Sequence, residues 1–153
     1  MLPPEITLAV LDDEYPPAEV WGGKHGWVLS LDRDALIVDA ATAHPVDGGP
    51  LLLIAGVDGY RELPPSWRFV DSESREVTPT STPSREGSSV IHSPGVICAH
   101  FSRTAYKGYD QAAPHDWELA SWDAPQEGVQ AHTLAEMLSV IDRHLKCSTG
   151  RFT

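Results

Sequence analysis

Cys98 lies close in sequence to three histidines, His92, His100 and His115. The chain has a second cysteine, Cys147, near its C-terminal end. A thiol near imidazole groups can act as a nucleophile, can bind a metal ion, or can fill a buried position as a small apolar side chain. The role of Cys98 therefore decides which chemistry the protein could perform.

The sequence around Cys98 favours a reachable thiol over a strongly activated one. Val96 and Ile97 are typical of a strand, and an irregular polar segment follows, so we expect the thiol at the end of a strand. Only Arg103 and Lys107 supply positive charge close by in sequence, and the acidic chain as a whole opposes a thiolate. Such a thiol suits a reaction in which a partner delivers an acyl group that is already activated.

Other roles for these residues stay open at the level of sequence. Cys98 could be buried and inert. It could bind zinc with His92, His100 and His115, although the chain has no Cys-x-x-Cys pair of the kind that zinc sites favour. A serine hydrolase is disfavoured because no Gly-x-Ser-x-Gly motif occurs. Asp116 could orient the imidazole of His115, or could be a solvated loop carboxylate.

The first half of the chain predicts a four-stranded antiparallel meander. Apolar residues alternate at 27–31, and apolar runs follow at 35–40 and 51–55. A break with two prolines then precedes a fourth, shorter strand at 67–71. Residues 4–14 fit either a short helix or an entry strand.

Two irregular segments follow the predicted sheet. Residues 72–89 are rich in Ser, Thr, Pro, Glu and Arg, and we expect a mobile surface loop there because so few apolar groups offset the ordering entropy. Residues 99–125 carry several aromatic side chains, which predicts a long loop held in place by those rings.

The last element is a C-terminal helix. Thr133 followed by Glu136 is a capping-box signature, and apolar residues then recur at helical spacing. The apolar positions are Leu134, Met137, Leu138, Ile141 and Leu145. Gly150 is expected to end the helix, and the apolar stripe is expected to pack on the sheet. Together these elements predict one α+β domain over residues 1–153.

Composition excludes several classes of function. The formal charge of −11 disfavours nucleic acids and anionic membranes, and suits a partner with a basic docking surface. The longest apolar run, residues 50–57, is too short to span a bilayer. No signal peptide is recognisable, and two distant cysteines do not form a disulfide framework, so we expect a reducing cytoplasm.

Several motifs, taken in order, resemble the ubiquitin-conjugating enzyme family over most of residues 5–146. They resemble its Tyr-Pro-x-x-Pro-Pro element, the strand after it, the Gly-x-Ile-Cys active-site segment and a Trp-x-Pro before a helix. The matching residues are Tyr60 with Pro64 and Pro65, residues 67–69, residues 95–98, and Trp122 with Pro125 ahead of Leu134. The resemblance implies that fold, with the sheet flanked by an N-terminal segment and a C-terminal helix.

The resemblance also implies an activity. Cys98 would accept a ubiquitin-like protein as a thioester from an adenylating activating enzyme, and would pass it to an amine of a target protein. The N-terminal segment would dock the activating enzyme. No cofactor is expected, since ATP would be used by the activating enzyme and this chain has no Gly-rich phosphate loop.

One departure from the family concerns the support of the reaction intermediate. The family usually has His-Pro-Asn before the cysteine, but this chain contains no asparagine, and residues 92–94 (His-Ser-Pro) are the nearest equivalent. In this it resembles divergent bacterial relatives that carry a histidine after the cysteine. His100 and His115 are the candidates for that catalytic role. The alternatives are a non-catalytic scaffold or ubiquitin-like-binding module of the same fold, and a small zinc protein.

Overall fold

The structure, a computed structural model, describes residues 2–111 and 113–153. One helix precedes all the strands in the sequence and one follows them, and the connecting segments contain short 3-10 turns. In chain order the elements are α1 (Pro4–His25), β1 (Val28–Asp32), β2 (Ile37–Ala43), β3 (Pro50–Gly56), β4 (Ser66–Val70), β5 (Ile91–Ser93), β6 (Val96–Ile97) and α2 (Leu134–Leu145). The predicted α+β class, with a four-stranded antiparallel sheet and a C-terminal helix, is confirmed.

Strands β1 to β4 form an antiparallel meander in chain order, and β5 and β6 form a separate hairpin. One row of paired residues crosses the whole sheet: Leu29 faces Ala40, Ala40 faces Leu53, and Leu53 faces Phe69. All four are buried. This row lies on the side of the sheet that faces the main apolar core, because residues paired across neighbouring strands lie on the same face of a sheet.

The second strand begins later and ends later than the sequence predicts. Leu36 has a φ of 55°, so residues 33–36 turn instead of extending. At the other end β2 continues to Ala43, which pairs with Pro50 at the start of β3. Pairing with the neighbouring strand, and not the local pattern, sets both ends of β2.

Of the two structures that the sequence allows for the N-terminal segment, a helix or a strand, the helix is present. It has 22 residues and is much longer than the segment 4–14. Its buried positions are Thr7, Leu11, Ala18 and Gly22, which are spaced as one helical face. Only Leu11 among them is large and apolar. A Cβ added to Gly22 would lie 2.6 Å from Cδ1 of Leu29, so glycine permits the close approach of α1 to β1.

The C-terminal helix begins as predicted. The Thr133 hydroxyl accepts a hydrogen bond from the Glu136 N–H at 3.2 Å, and the Glu136 carboxylate accepts one from the His132 N–H at 3.0 Å. All five positions of the apolar stripe are buried. The helix ends at Leu145, so Gly150 is not its stop.

The partner of α2 differs from the prediction. The helix packs mainly against α1 and also contacts β5, rather than lying mainly on the four-stranded sheet. The indole N–H of Trp27 donates to Asp142 at 2.9 Å and fixes α2 beside the end of α1. The two helices therefore share one apolar core with the inner face of the sheet.

Part of the segment at 72–89 is buried. A 3-10 turn at Pro79–Ser81 has a capping box, and Ser81, Thr82 and Ser84 are buried. The C-terminal tail lies against it, since the Ser84 N–H donates to the Gly150 carbonyl at 2.9 Å. Mobility of the rest of the 72–89 segment stays a prediction.

No helix in the described part of the chain is long and apolar enough to cross a membrane.

Candidate functional site

The β5–β6 hairpin delivers Cys98 to the edge of the core. A tight turn joins the two strands, and Gly95 takes a φ of 82° there, a conformation that favours glycine. Ile97 is buried while Cys98, the next residue, is partly exposed. The Cys98 N–H donates to the Val90 carbonyl at 2.7 Å, which fixes the main chain at the thiol.

The hydroxyl of Thr104 ties the cysteine segment to β4. It accepts a hydrogen bond from the Ile97 N–H at 3.1 Å and donates to the Trp67 carbonyl at 3.0 Å. Thr104 is buried, so these bonds replace water for both main-chain groups. The chain after Cys98 is thereby held to the sheet without forming a strand.

Arg103 anchors the same segment to the proline break. Its guanidinium donates to the Pro64 carbonyl at 2.9 Å and to the Asp58 carbonyl at 2.7 Å, and it lies 3.2 Å from the Asp58 carboxylate. The Arg103 N–H donates to the Pro65 carbonyl at 2.9 Å. The loop that follows the cysteine is therefore anchored to main-chain carbonyls at and near the proline break.

His115 is the imidazole that meets the thiol. Its Nε2 lies 3.0 Å from Sγ of Cys98. The main chain of His115 is fixed on both sides, because its N–H donates to the Ala105 carbonyl at 3.1 Å and its carbonyl accepts from the Lys107 N–H at 2.8 Å. These two main-chain bonds hold the His115 segment beside residues 105–107.

Trp117 lies between two imidazole rings. The His115 ring is parallel to the indole, with ring centres 3.7 Å apart and planes 5° apart. The His100 ring also stacks on Trp117, at 3.8 Å and 28°. Tyr106 meets the indole edge-on at 5.5 Å. We call Trp117 with His100 and His115 the ring stack.

His100 belongs to this site but is not hydrogen-bonded to the thiol. Its Nε2 is 3.1 Å from the Glu127 carbonyl and donates to it. Its Nδ1 is buried and has no hydrogen-bond partner among the described residues. The structure therefore brings both predicted histidines to Cys98, one at the sulfur and one in the ring stack. Their catalytic roles stay predictions.

Burial keeps the thiol and its imidazole partner neutral. Burial raises the pKa of the Cys98 thiol, and the positive charge of Arg85 opposes that rise. Burial lowers the pKa of His115, and His100 and Lys107 lower it further. At neutral pH the pair is therefore a thiol beside an uncharged imidazole, which can accept the thiol proton when the sulfur attacks.

A small pocket opens beside the thiol. Its volume is about 220 Å³, its walls are mainly apolar, and Cys98, His100, Trp117 and Val129 contribute to its lining. Gly128 also lines it and has a φ of 97°. A larger open depression of about 520 Å³ lies at the sheet around Asp39 and Arg75, away from Cys98.

A zinc site at Cys98 is not assembled. In the part of the chain that the structure describes, no three His, Cys, Asp or Glu side chains come close enough together to hold a metal ion. His92 Nδ1 instead lies 3.1 Å from the Ser93 hydroxyl. Asp116 is solvated and lies 3.7 Å from the Lys107 ammonium, so it is not the group that orients His115.

Sequence reasoning missed the part that Trp117 takes in the site. A tryptophan in a loop of this kind usually anchors the core, but Trp117 is only half-buried and contacts both histidines. The single available signal was the concentration of His, Tyr and Trp after Cys98.

Comparisons of the chain with protein-family models, with curated proteins and with solved structures found no match.

Proposed function

We propose that the chain is a cysteine-based carrier of a ubiquitin-like protein. Cys98 accepts the C-terminal carboxyl group of that protein as a thioester from an activating enzyme and passes it to an amine of a target protein. The observation that carries this proposal is the distance of 3.0 Å between the partly exposed Cys98 Sγ and His115 Nε2.

The first step is a thioester exchange. Sγ of Cys98 attacks the carbonyl carbon of the acyl group carried by the activating enzyme, and His115 Nε2 accepts the thiol proton. The activating enzyme's sulfur leaves as a thiolate and takes up the proton that His115 accepted, which returns the imidazole to its neutral form. One thioester replaces another, so the step needs proton transfer at Sγ and does not need a thiol that is ionised at rest.

The second step transfers the acyl group to an amine. The amine nitrogen attacks the thioester carbon, the carbon–sulfur bond breaks, and Sγ of Cys98 leaves. His115 accepts a proton from the attacking amine and returns it to Sγ. A neutral imidazole beside the sulfur can serve both directions of this transfer.

The arrangement of the chain supports the family resemblance. The meander, the proline break, the cysteine and the final helix follow one another in the order of the matching motifs. Within the core, the rings of Tyr60 and Trp122 lie 6.2 Å apart, and the Trp122 indole N–H donates to the Arg61 carbonyl at 3.1 Å. Two of the matching motifs are therefore neighbours in space.

The outer side of α1 supports a basic partner. Glu5, Asp12, Asp13 and Glu19 are exposed along the helix. By resemblance, this acidic surface would dock the activating enzyme. A free thiol that carries thioesters also suits a reducing compartment such as the cytoplasm.

Incubation with an activating enzyme, its ubiquitin-like protein and ATP tests the proposal. We expect an adduct of one chain with one ubiquitin-like protein that is removed by a thiol reductant. The adduct is lost in Cys98→Ala and kept in Cys147→Ala, the matched control at the other free thiol. Cys98→Ser should give an ester that resists the reductant. An adduct that survives Cys98→Ala would contradict the proposal.

A non-catalytic scaffold is the second candidate. The burial that raises the Cys98 pKa favours it, because a protonated thiol is also what an inert cysteine requires. This candidate predicts no adduct with partners whose activity has been verified, together with binding of the ubiquitin-like protein that Cys98→Ala leaves unchanged.

A further inference from the structure

We propose that Trp117 is a positioning residue that holds the His115 imidazole against the Cys98 thiol. The inference rests on the proposed function for the identity of the acyl group. The pairing of the thiol and the imidazole can be measured without that partner.

The main chain of His115 is fixed, but few contacts orient its ring. Nε2 lies 3.0 Å from the thiol, and no hydrogen bond to Nδ1 is found within residues 2–111 and 113–153. A base that serves a nucleophile is commonly oriented by a third polar group, often a carboxylate. Here the neighbouring carboxylate, Asp116, is turned to Lys107.

The indole of Trp117 supplies the missing constraint. It covers one face of the His115 ring in parallel at 3.7 Å, which leaves the imidazole free to shift within its own plane but not to tilt out of it. Because Nε2 lies in that plane, the stacked indole keeps the nitrogen directed at Sγ. A flat ring therefore does here what a carboxylate does elsewhere.

Trp117 is itself held on its other face. His100 stacks there, and His100 is fixed at both ends: its carbonyl accepts the Tyr106 hydroxyl at 2.7 Å and its Nε2 donates to the Glu127 carbonyl. Tyr106 also supports the indole edge. His100 thus acts on His115 through the indole. The second predicted histidine therefore supports the site without contacting the sulfur.

Alkylation of Cys98 by iodoacetamide tests the inference in a Cys147→Ser background, which removes the other free thiol. The rate is measured by mass spectrometry from pH 5.5 to 9.5. We expect His115→Ala and Trp117→Leu each to slow the reaction at pH 7 by about tenfold, a modest share of the ~10²–10⁴ that a positioned base contributes. Trp117→Phe keeps a flat ring and should stay within about threefold of the parent.

The double variant distinguishes positioning from packing. If Trp117 acts through His115, the His115→Ala/Trp117→Leu protein reacts as slowly as His115→Ala alone. A further several-fold fall in the double variant would overturn the inference, as would a folded Trp117→Leu protein with the parent rate. Trp117→Met, which also lacks a flat ring, gives the same comparison if Trp117→Leu does not fold.

The two proposals fail in different ways. If the carrier function is wrong, no adduct forms but alkylation still depends on Trp117 through His115. If the positioning role is wrong, the adduct forms and alkylation of the Trp117→Leu protein matches that of the parent.

Discussion

The four-stranded sheet and the segment that follows Cys98 are stabilised by different means. In the sheet, a row of buried apolar side chains crosses β1 to β4 and the main chain is paired strand to strand. After Cys98 the main chain follows an irregular path, which main-chain turns fix together with hydrogen bonds from the side chains of Arg103, Thr104 and Tyr106. The sheet therefore rests on apolar burial and regular strand pairing, while the site also depends on individual polar side chains.

This difference separates stability from chemistry. A core substitution should change the free energy of unfolding of the whole domain. A substitution among the polar anchors should shift the cysteine relative to its imidazole even where the domain stays folded.

Phe69→Ala should have the largest effect on stability. Phe69 is 1% exposed at the end of the buried row, so its truncation should cost about 3–5 kcal/mol of unfolding free energy. Urea denaturation followed by circular dichroism measures it. Val28→Ala is the control on the same sheet: Val28 is 75% exposed, and its variant should stay within about 0.5 kcal/mol. Equal losses at both positions would contradict the contrast.

Arg103→Met should have the next largest effect. It keeps a long apolar stem but removes the donors to the Pro64 and Asp58 carbonyls, which should cost roughly 2–3 kcal/mol. Because Arg103 anchors the segment that carries His115, Cys98 alkylation should also fall at a temperature where the variant is folded. Arg33→Met, on an exposed surface ion pair, is the control and should change neither quantity.

Thr104→Val should have a smaller effect on stability. It keeps the shape of the side chain and leaves the Ile97 N–H and the Trp67 carbonyl without the hydroxyl, at a cost of about 1–3 kcal/mol. Thr104→Ser keeps the hydroxyl and should lose less. The order of the two melting temperatures decides the point, and a valine variant as stable as the serine variant would refute it.

His100→Gln should have the smallest effect, on the pH profile. His115 must be uncharged to accept the thiol proton, so alkylation falls as the pH drops through its pKa. Burial lowers that pKa, and His100 and Lys107 add to the lowering. Arg85 faces the thiol, and His92 also lies near His115. Removing the charge that His100 can carry should raise the His115 pKa and move the acid limb of the alkylation profile to higher pH.

His25→Gln is the matched control for that profile. His25 stacks on Trp21 at the end of α1, and the groups that shift the pKa of Cys98 and of His115 do not include it. Its variant should titrate like the parent. A downward shift of the acid limb in His100→Gln would show that His100 does not act on His115 through charge.

Strands β1 to β4 and helix α2 could be predicted because each carries an apolar pattern, either alternation, a short apolar run or helical spacing, whereas β5 was not predicted. The length of α1 could not: its buried face includes Thr7, Ala18 and Gly22, which carry little apolar signal, and Pro16 and Pro17 lie inside it. In the same way, Gly150 looked like a helix stop, but its carbonyl instead accepts the Ser84 N–H. Tertiary contacts decided both cases.

The candidate site could be predicted only in part. The concentration of histidines pointed to Cys98, and the family resemblance made His100 and His115 the candidates beside it. The structure brings the three together. The contact between Cys98 and His115 depends on the path of an irregular loop, and such a loop has no repeating pattern of apolar residues from which its path could be predicted. The same holds for Trp117, whose place between two imidazoles follows from that loop.

The ring stack has an optical consequence. An indole loses fluorescence when a protonated imidazole lies against it, and Trp117 has an imidazole on each face. Within residues 2–111 and 113–153, Trp21 is the one other tryptophan that stacks on a histidine, at the exposed end of α1. In a Trp21→Phe protein, a pH-dependent change in emission would therefore come chiefly from Trp117. The protein carries its own fluorescent reporter of the charge beside Cys98.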